Sequence, residues 1–588
     1  MKKALALLLA LVMALSLVAC GAKTEAPAAA PATAAAPAEE APAAEEIPNA
    51  ADFVDAAFID PLTEWATYDD MIAAIKSETD AAKRTELMHE AEDVLMANHC
   101  IIPLYYYNDL FMQKEYVSGI FSNPFATKFF MYAKLDNGSD TLRINLASEP
   151  DYLDPALNSS VDGACLAANS FSGLYTYNDK GVTEPACATG YTLSDDNLTY
   201  TVTLRDGLKW SDGSPLTAAD FVYSWNRAIS EKTAADYAYM FSGIDGYESG
   251  TLNVTAIDDT TLEFVLSAPC AYMEDLMAFP TFFPVKQSAV EAAADWETNP
   301  GAWCQEAGFV SNGAYVCTEW NHKQSMVYEK NPNWYDADKV TIEKIEYMLS
   351  DDDTAILAAY NAGDLDFADT VPTDEVATLQ SSPEFHVVDE LGTYYAAFNC
   401  KSSIFDGKTP EQAVCIRKAF QILIDRDYIV ENVGQTGQKI ANSFIPLGMA
   451  DGNGGVFKTE IEDGYFDCYG INDNYDETVE MARTLLKSAG YLFGEDGMLS
   501  PETPINLVYL TNTTSGHIAV AEAIQADLSV LGINLTVEQQ EWAVFLEERK
   551  AGNFDFAREG WIADFNDPIN MLEMWITDSG NNDCQFGR

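Results

Sequence analysis

The sequence is poor in positive charge. Its 588 residues include 33 Lys and Arg against 92 Asp and Glu, which gives a formal net charge of −59. Nucleic acids and anionic lipid surfaces are themselves negative, so a chain this acidic is repelled by both. The acidic residues are spread along the chain rather than gathered in one tail, which is typical of a solvated surface. Binding to nucleic acid or adsorption to anionic lipid is therefore not expected.

Histidine and the common catalytic motifs are also scarce. The five histidines are His89, His99, His322, His386 and His517, and none lies in H-E-x-x-H or at another metal-binding spacing. The sequence contains no G-x-S-x-G elbow, no G-x-x-x-x-G-K-[ST] loop and no C-x-x-C pair. A binding protein without metal or cofactor is therefore favoured over an enzyme. A carboxylate pair of the glycosidase type stays open, because so acidic a chain contains such pairs by chance.

Long apolar runs are confined to the N-terminus. Lys2 and Lys3 precede an apolar run over residues 4–19, which is the pattern of a signal peptide and is short for a transmembrane helix. The L-V-A-C that ends at Cys20 resembles a lipobox, which implies that Cys20 is lipidated. Residues 21–50 are rich in Ala, Pro and Glu, which predicts a semi-extended tether. We therefore expect an extracytoplasmic protein, either anchored by lipid to the outer face of the cell membrane or periplasmic.

The stretch F-D-F-A-R-E-G-W-I-A-D-F-N-D-P, residues 554–568, predicts a strand that runs into a turn. Gly560 lies inside the strand, where glycine is costly unless another group must approach the backbone closely. The element also carries a cation, Arg558, an aromatic, Trp561, and an anion, Asp564. An extended peptide needs a cation for its carboxylate, backbone groups for pairing and an anion for its amine. A half-buried strand that ends in a turn Asp is the alternative interpretation.

This stretch also resembles a known family. W-x-A-D-[YF]-N-[DE]-P after an A-R-x-G-W strand is the pattern of the oligopeptide-binding proteins of ABC importers, the extracellular solute-binding proteins of family 5. Residues 142–155, L-R-I-N-L-A-S-E-P-D-Y-L-D-P, and residues 201–225, T-V-T-L-R-D-G-L-K-W-S-D-G-S-P-L-T-A-A-D-F-V-Y-S-W, continue the resemblance. At Ile562 some relatives carry Cys, and at Phe565 most carry Tyr.

The order of the segments departs from the family pattern. The series R-x-E-L-x-x-x-A-E-x-x-L, I-P-L-Y-Y-Y and Y-V-x-G, within residues 53–135, resembles the C-terminal end of family members but stands near the N-terminus here. The resemblance therefore implies a circularly permuted chain in which residues 136–140, D-N-G-S-D, form a turn that joins the former ends. A gene-assembly artefact or a rearranged copy without function is the alternative.

The resemblance implies an α/β fold of the two-lobed, periplasmic-binding-protein-like type (class II, peptide-binding), with a hinge between the lobes. In this interpretation residues 51–102 supply displaced helices that complete lobe II, and residues 103–135 close lobe I. Residues 136–392 then form lobe I, with an inserted subdomain at about 181–300, and residues 393–588 form lobe II.

Family members bind peptides in the cleft between the lobes, and the motif matches imply a role for each site residue. Asp564 would hold the peptide α-amine, and Arg558 would pair with the carboxylate of some peptides. The remaining predicted site residues would supply backbone partners (Gly560, Trp561, Ile562 and Val161) or line the pocket (Trp542, Tyr237 and Tyr107). Without the resemblance, core packing would be the simpler explanation of the aromatic residues.

The resemblance implies a receptor rather than a pump. The protein would act as a monomer that captures oligopeptides and delivers them to separate ABC permease and ATPase subunits, with the membrane contacted through the lipid anchor only. Dipeptides, nickel complexes and oligosaccharides are the alternative ligands within the same superfamily. The dipeptide alternative is the strongest of these, because dipeptide-binding relatives also keep an Asp before this type of turn.

Overall fold

The computed structural model describes residues 47–146, 149–150, 152–459 and 474–588. The predicted signal peptide, Cys20 and nearly all of the predicted tether lie outside these residues. Ala50 corrects the tether boundary, because it is buried and begins a short 3-10 helix, Ala50–Phe53, that Asn49 caps. Its methyl group packs in a core formed with residues of the second half of the chain. The folded part therefore begins before the predicted boundary at residue 50.

The described α-helices follow the predicted apolar periodicity where that pattern is strong. The sequence predicts helices at 65–75 and 83–98, and these are observed as the first two. It also predicts a helix capped by Thr217, and the observed helix has Asp220 at its third position, whose carboxylate accepts the Thr217 backbone N–H at 2.8 Å. In chain order the helices are α1 (Ala66–Ser77), α2 (Ala81–Ala97), α3 (Val161–Ser170), α4 (Ala218–Ala228), α5 (Met273–Ala278), α6 (Gln287–Val290), α7 (Asp353–Ala362), α8 (Val376–Leu379), α9 (Pro410–Leu423), α10 (Arg426–Tyr428), α11 (Tyr475–Ser488), α12 (Ser515–Ser529), α13 (Trp542–Lys550) and α14 (Ile569–Glu573).

The described strands include the two that carry most of the predicted site. In chain order they are β1 (Ile101–Gln113), β2 (Val117–Ser118), β3 (Phe121–Ser122), β4 (Lys128–Phe129), β5 (Lys134–Leu135), β6 (Thr141–Asn145), β7 (Tyr175–Tyr177), β8 (Thr183–Pro185), β9 (Ala188–Leu193), β10 (Thr199–Leu204), β11 (Val254–Asp258), β12 (Thr261–Val265), β13 (Tyr315–Asn321), β14 (Ser325–Lys330), β15 (Lys344–Met348), β16 (Phe367–Ala368), β17 (Phe385–Phe398), β18 (Lys439–Ile440), β19 (Asn506–Asn512), β20 (Asn534–Gln540) and β21 (Phe556–Ile562).

One large mixed sheet runs through the described part of the chain, in the order β13-β14-β15-β6-β16-β1-β17-β21-β19-β20, with β18 beside β1. Two of its strands are long: β1 pairs antiparallel with β17 from Ile101↔Ala397 to Met112↔Phe385, with irregularities on either side of Tyr105 and Tyr106. A separate four-stranded sheet, β11-β12-β10-β9, lies within the predicted inserted subdomain. The sheet order places β1, from the N-terminal segment, at the centre of the fold.

The N-terminal helices pack on the last described helix of the chain. The Trp65 indole N–H donates to the Trp575 carbonyl at 2.8 Å, and the Tyr68 hydroxyl donates to the Leu572 carbonyl at 2.9 Å. Both rings are fully buried. The Gly587 N–H also donates to the Pro61 carbonyl at 2.8 Å. Residues 51–102 are therefore part of the same compact unit as the rest of the described chain.

Two hydrophobic cores account for most of the buried apolar side chains. One combines α1 and α2 with residues between 117 and 349 and with residues 563–586. The other packs α9, α11 and α12 against β17, β19 and β21. The first core includes segments that the sequence analysis assigns to both lobes, so the lobe boundaries stay predictions. The exposed turn at residues 136–140, between β5 and β6, is present as predicted.

The nine described cysteines are all free thiols, and eight of them are buried. The sulfurs of Cys100 and Cys400 lie 3.4 Å apart without a bond.

In the part of the chain that the structure covers, no helix is both long and apolar enough to span a bilayer.

Candidate functional site

Strand β21 is paired along one edge and open along part of the other. Its full length pairs with β17, from Phe398↔Phe556 to Gly392↔Ile562. On the opposite edge β19 pairs only with Phe556 and Ala557. From Arg558 to Ile562 that edge has no strand partner among the described residues, and it faces a cavity. An open strand edge inside a cavity can bind an extended chain by adding a strand.

Asp564 lies two residues beyond the end of β21 and is held by two neighbours. Its carboxylate accepts the Asn570 side-chain amide at 2.9 Å and the Tyr237 hydroxyl at 3.2 Å. Asn570, which is fully buried, also accepts the backbone N–H of Asp564 and the indole N–H of Trp561, both at 3.0 Å. Asn570 therefore sets the position of both the carboxylate and the neighbouring aromatic wall.

The Asp564 carboxylate has no cationic partner among the described residues. Burial raises the pKa of Asp564 to about 7, although the hydrogen bonds from Asn570 and Tyr237 lower it. A buried carboxylate is stable when it is paired with a cation and is otherwise neutralised by a proton. The site is therefore suited to an ammonium group supplied from outside the chain.

Arg558 carries the complementary charge on the same strand. It is 7% exposed, donates to the Tyr107 hydroxyl at 3.2 Å, and lies 5.3 Å and 5.7 Å from the ring centres of Tyr394 and Trp542. Among the described residues no carboxylate lies within 4.0 Å of it, whereas the adjacent Glu559 pairs with Arg549 at 2.8 Å. The guanidinium is therefore a buried cation packed against aromatic rings, available to a ligand carboxylate.

The group that approaches Gly560 is Tyr107. A Cβ at position 560 would lie 2.1 Å from the Tyr107 hydroxyl oxygen, so only glycine leaves room for this contact. Tyr107 is itself fixed by edge-on contacts with Tyr105 and Tyr394. The close approach that Gly560 indicates is therefore made by a side chain of the protein.

All nine residues predicted to contact the ligand line one cavity. Val161 opens α3, where the N–H groups of the first turn have no carbonyl partner in the helix, and its side chain is 39% exposed. Tyr237 packs edge-on against Phe279 while its hydroxyl reaches Asp564, so it serves both the core and the cavity. Trp542 opens α13. The mixture of aromatic and polar side chains in the cavity lining is typical of a ligand site.

Comparison with known proteins identifies the family. The family described as "Bacterial extracellular solute-binding proteins, family 5 Middle" matches residues 182–583. The chain belongs to this family. It is 33% identical over 467 residues to the oligopeptide-binding protein OppA of Bacillus subtilis (strain 168), over 76% of this chain and 80% of that protein. To the periplasmic murein peptide-binding protein MppA of Escherichia coli (strain K12) it is 33% identical over 451 residues, 74% of this chain and 78% of that one.

A solved structure shows the same fold. The structure of Haemophilus influenzae OppA in complex with RPPGFSPFR superposes with a TM-score of 0.65 and 28% identity, over 76% of this chain and 85% of that chain. The predicted fold class, the two-lobed α/β fold of the family 5 peptide-binding proteins, is confirmed. The family match includes β21 and Asp564, but Tyr107 and Val161 lie outside it.

The sequence does not predict several residues that shape the cavity of this family 5 protein. Asn570 stands only six residues after Asp564, and the turn signal at 566–568 is the one hint that the chain folds back there. Lys128, Asp369 and Glu390 line an adjoining cavity and come from distant parts of the chain, so no local pattern links them. Among the described residues no group of three or more His, Cys, Asp and Glu is arranged to hold a metal ion.

We expect the affinity for a peptide with a free amine to be highest near neutral pH. Below pH 7 Asp564 becomes protonated, so binding must release a proton and Kd should rise about tenfold per pH unit. Above about pH 8 the α-amine loses its own proton. Calorimetry with trialanine from about pH 5.5 to about pH 8.5 covers the titrations of both groups. It therefore measures both limbs of the plot of affinity against pH. In Asp564→Asn the acid limb should be flat, and an unchanged acid limb in that variant would contradict the assignment.

Proposed function

We propose that this family 5 protein captures oligopeptides in the cavity beside β21 and delivers them to a membrane permease. The observation that carries the proposal is the open edge of β21 from Arg558 to Ile562, with the unpaired Asp564 carboxylate at one end and the uncompensated Arg558 at the other. The peptide would add a strand to this edge, with its amine on Asp564 and, for peptides of suitable length, its carboxylate on Arg558. Backbone pairing of this kind does not depend on side chains, which suits a receptor for varied peptides.

The opposite wall would contribute through α3. The Val161 N–H lies in the first turn of this helix, and Ser160 satisfies Gly163 rather than Val161. A peptide carbonyl could therefore accept from Val161 while β21 pairs with the other side of the same peptide. Trp542, Trp561 and Tyr237 would close the ends and flanks of the cavity with aromatic surface.

The paired strands β1 and β17 would act as the hinge when the lobes close on the ligand. The predicted lobe boundaries, 102/103 and 392/393, both fall inside these strands, and Pro103 and Thr393 belong to the irregular part of their register. Two adjacent strands that cross between lobes form a hinge, and ligand binding shifts such a hinge toward the closed state. The permease would recognise the closed shape. We further propose that the protein works as a monomer held at the membrane by lipid on Cys20.

We also propose that the segment order is a true circular permutation. The contacts support this, because β1 is central to the large sheet and α2 holds the turn beside Asp564: Arg84 pairs with both carboxylate oxygens of Asp567 at 2.8 Å. Loss of residues 51–135 would remove a central strand and this pair. The intact mass of the exported protein tests the proposal, since a mature species without residues 51–135 would identify the order as an artefact.

Small-angle scattering tests the receptor mechanism. The exported protein should become more compact when a mixture of peptides of two to six residues is added, an approximate range set by the reach of an extended chain along β21. The peptides recovered after denaturation should be intact, whereas cleavage products would indicate an enzyme. Compaction with dipeptides alone would favour the dipeptide alternative. No compaction with any peptide would contradict the proposal.

A further inference from the structure

A second cavity adjoins the first and is strongly acidic. The two share Tyr107, Val161, Trp542, Arg558 and Ile562 in their linings, so they form one continuous cleft. We call the part lined by Asp109, Asp162, Asp369 and Glu390 together with Lys128 the acidic pocket. Arg558 and Tyr107 line both cavities, whereas Asp564 lines only the first.

The charges of the acidic pocket do not balance. Lys128, 3% exposed, pairs with Asp109 and with Asp369, each at 2.8 Å. Glu390 is 8% exposed, and its Oε1 is buried without a hydrogen-bond partner in the described part of the chain. Three carboxylates therefore share one ammonium group. Asp162 on α3, 9% exposed, also has a buried carboxylate oxygen without a hydrogen-bond partner among the described residues.

The pKa values of the acidic groups reflect the electrostatic cost of this arrangement. Burial and the nearby Asp109 raise the pKa of Glu390 well above its ordinary value, with Lys128 opposing the shift. Burial raises the pKa of Asp369 to about 7 although Lys128 lowers it. A buried carboxylate without a partner is costly, and a second cation would relieve that cost.

Arg558 does not supply the positive charge that the acidic pocket lacks. The Arg558 guanidinium donates to the Tyr107 hydroxyl, whose pKa is raised by burial and by Glu390 and lowered by Arg558. His517, which also lines the second cavity, is neutral, because burial and Arg558 lower its pKa well below the ordinary value. The acidic pocket therefore keeps a deficit of positive charge that the described residues do not fill.

We propose that the acidic pocket binds the cationic side chain of a ligand residue, so that peptides carrying Lys or Arg at one position are preferred. The inference rests on the proposed peptide-binding function and adds a side-chain preference to it. Glu390 and Asp162 would contact the ligand ammonium or guanidinium from opposite walls, while Lys128 keeps Asp109 and Asp369 in place. The main-chain contacts along β21 would be the same for every peptide.

A lysine scan of short peptides tests this preference. Each alanine pentapeptide carries one Lys, or in the matched series one norleucine, which has similar length and no charge. Calorimetry with the full-length protein should show that Lys at one position binds at least about tenfold more tightly than norleucine there, since close interfacial charge pairs contribute on this scale. At the other positions the two series should agree within about threefold.

Charge-removing variants locate the effect. In Glu390→Gln, and independently in Asp162→Asn, the Lys-to-norleucine ratio at the favoured position should fall several-fold while norleucine peptides bind as before. The control Glu495→Gln, at an exposed turn residue that lines neither cavity, should leave the ratio unchanged. If norleucine peptides bind and no position favours Lys, the acidic pocket proposal is overturned and the receptor proposal stands. If neither series binds, the receptor proposal fails as well.

Discussion

Replacing Asp564 with Asn should weaken the binding of a free-amine peptide by about thirtyfold to several thousandfold. The substitution keeps the shape of the side chain and removes the charge that pairs with the peptide ammonium. Loss of one partner from a buried charge pair costs about 2–5 kcal/mol of binding free energy, much of it from the ammonium left unpaired. Calorimetry measures the change at about pH 7.5, where Asp564 is mostly ionised and the peptide amine is mostly still protonated.

A double cycle with N-acetylated peptide identifies the contact. Acetylation removes the charge from the ligand, so a neutral peptide end would meet a neutral side chain in the doubly altered complex. The two losses together should therefore be smaller than their sum. The control Asp195→Asn changes an exposed turn residue outside the cavity and should leave affinity unaltered. Additive losses would mean that Asp564 does not touch the amine.

The same variant should be more stable than the natural protein when no peptide is present. The folded-state pKa of Asp564, about 7, lies above the value of about 3.8 for a solvent-exposed Asp in the unfolded chain, so the ionised side chain destabilises the fold as pH rises between these values. At pH 8 we expect a gain of about 1–3 kcal/mol in the free energy of unfolding, less than the full shift implies because the side chain is partly exposed. Opposite signs for affinity and stability are typical of a binding site.

Replacing Lys128 with Met should reduce the free energy of unfolding by about 3–5 kcal/mol at pH 8, which is the usual cost of removing one partner from a buried ion pair. Asp109, Asp369 and Glu390 would then share the acidic pocket with no cation. Below pH 7 the loss should shrink, because Asp369 is already protonated there in the natural protein and the carboxylates of the variant accept protons more readily.

Two further variants show whether the loss of stability comes from the acidic pocket. Lys232→Met breaks an exposed pair with Glu297, whose side chains are 63% and 60% exposed, and should change stability by no more than about 1 kcal/mol. Adding Glu390→Gln to Lys128→Met should restore part of the loss, since one buried carboxylate is removed. Urea unfolding at two pH values measures all three. Equal losses for the two lysine variants would show that the acidic pocket is not electrostatically strained.

The elements that the sequence predicts best are those defined by neighbouring residues. The strand at β21, its turn and the placement of Arg558 and Asp564 follow from one continuous stretch of chain and from a family motif. The N-terminal helices follow from apolar periodicity, and the apolar run over residues 101–107 predicts β1. The observed strand continues six residues beyond Tyr107 because β17 pairs with it as far as Phe385. Local patterns carry this information because a helix or strand is specified mainly by residues close in sequence.

The parts that the sequence does not predict depend on contacts between distant segments. Gly560 signals a close approach, but the sequence does not show that Tyr107, from β1, makes it. Lys128 and Glu390 each look like ordinary surface charges, and only the packing of their strands buries them together. The end of the tether is likewise set by α9, against which Ala50 packs. Such positions are determined by tertiary structure and have no local signature.

Native mass spectrometry of the exported protein with a mixed peptide library tests the central claim most directly. Half of the library has free amines, and the other half contains the same sequences with acetylated amines and distinct masses. We expect complexes with many free-amine peptides, few or none with their acetylated counterparts, and loss of this discrimination in Asp564→Asn. Equal binding of both halves, or no peptide bound at all, would contradict the assignment of the cavity beside β21 as a peptide site.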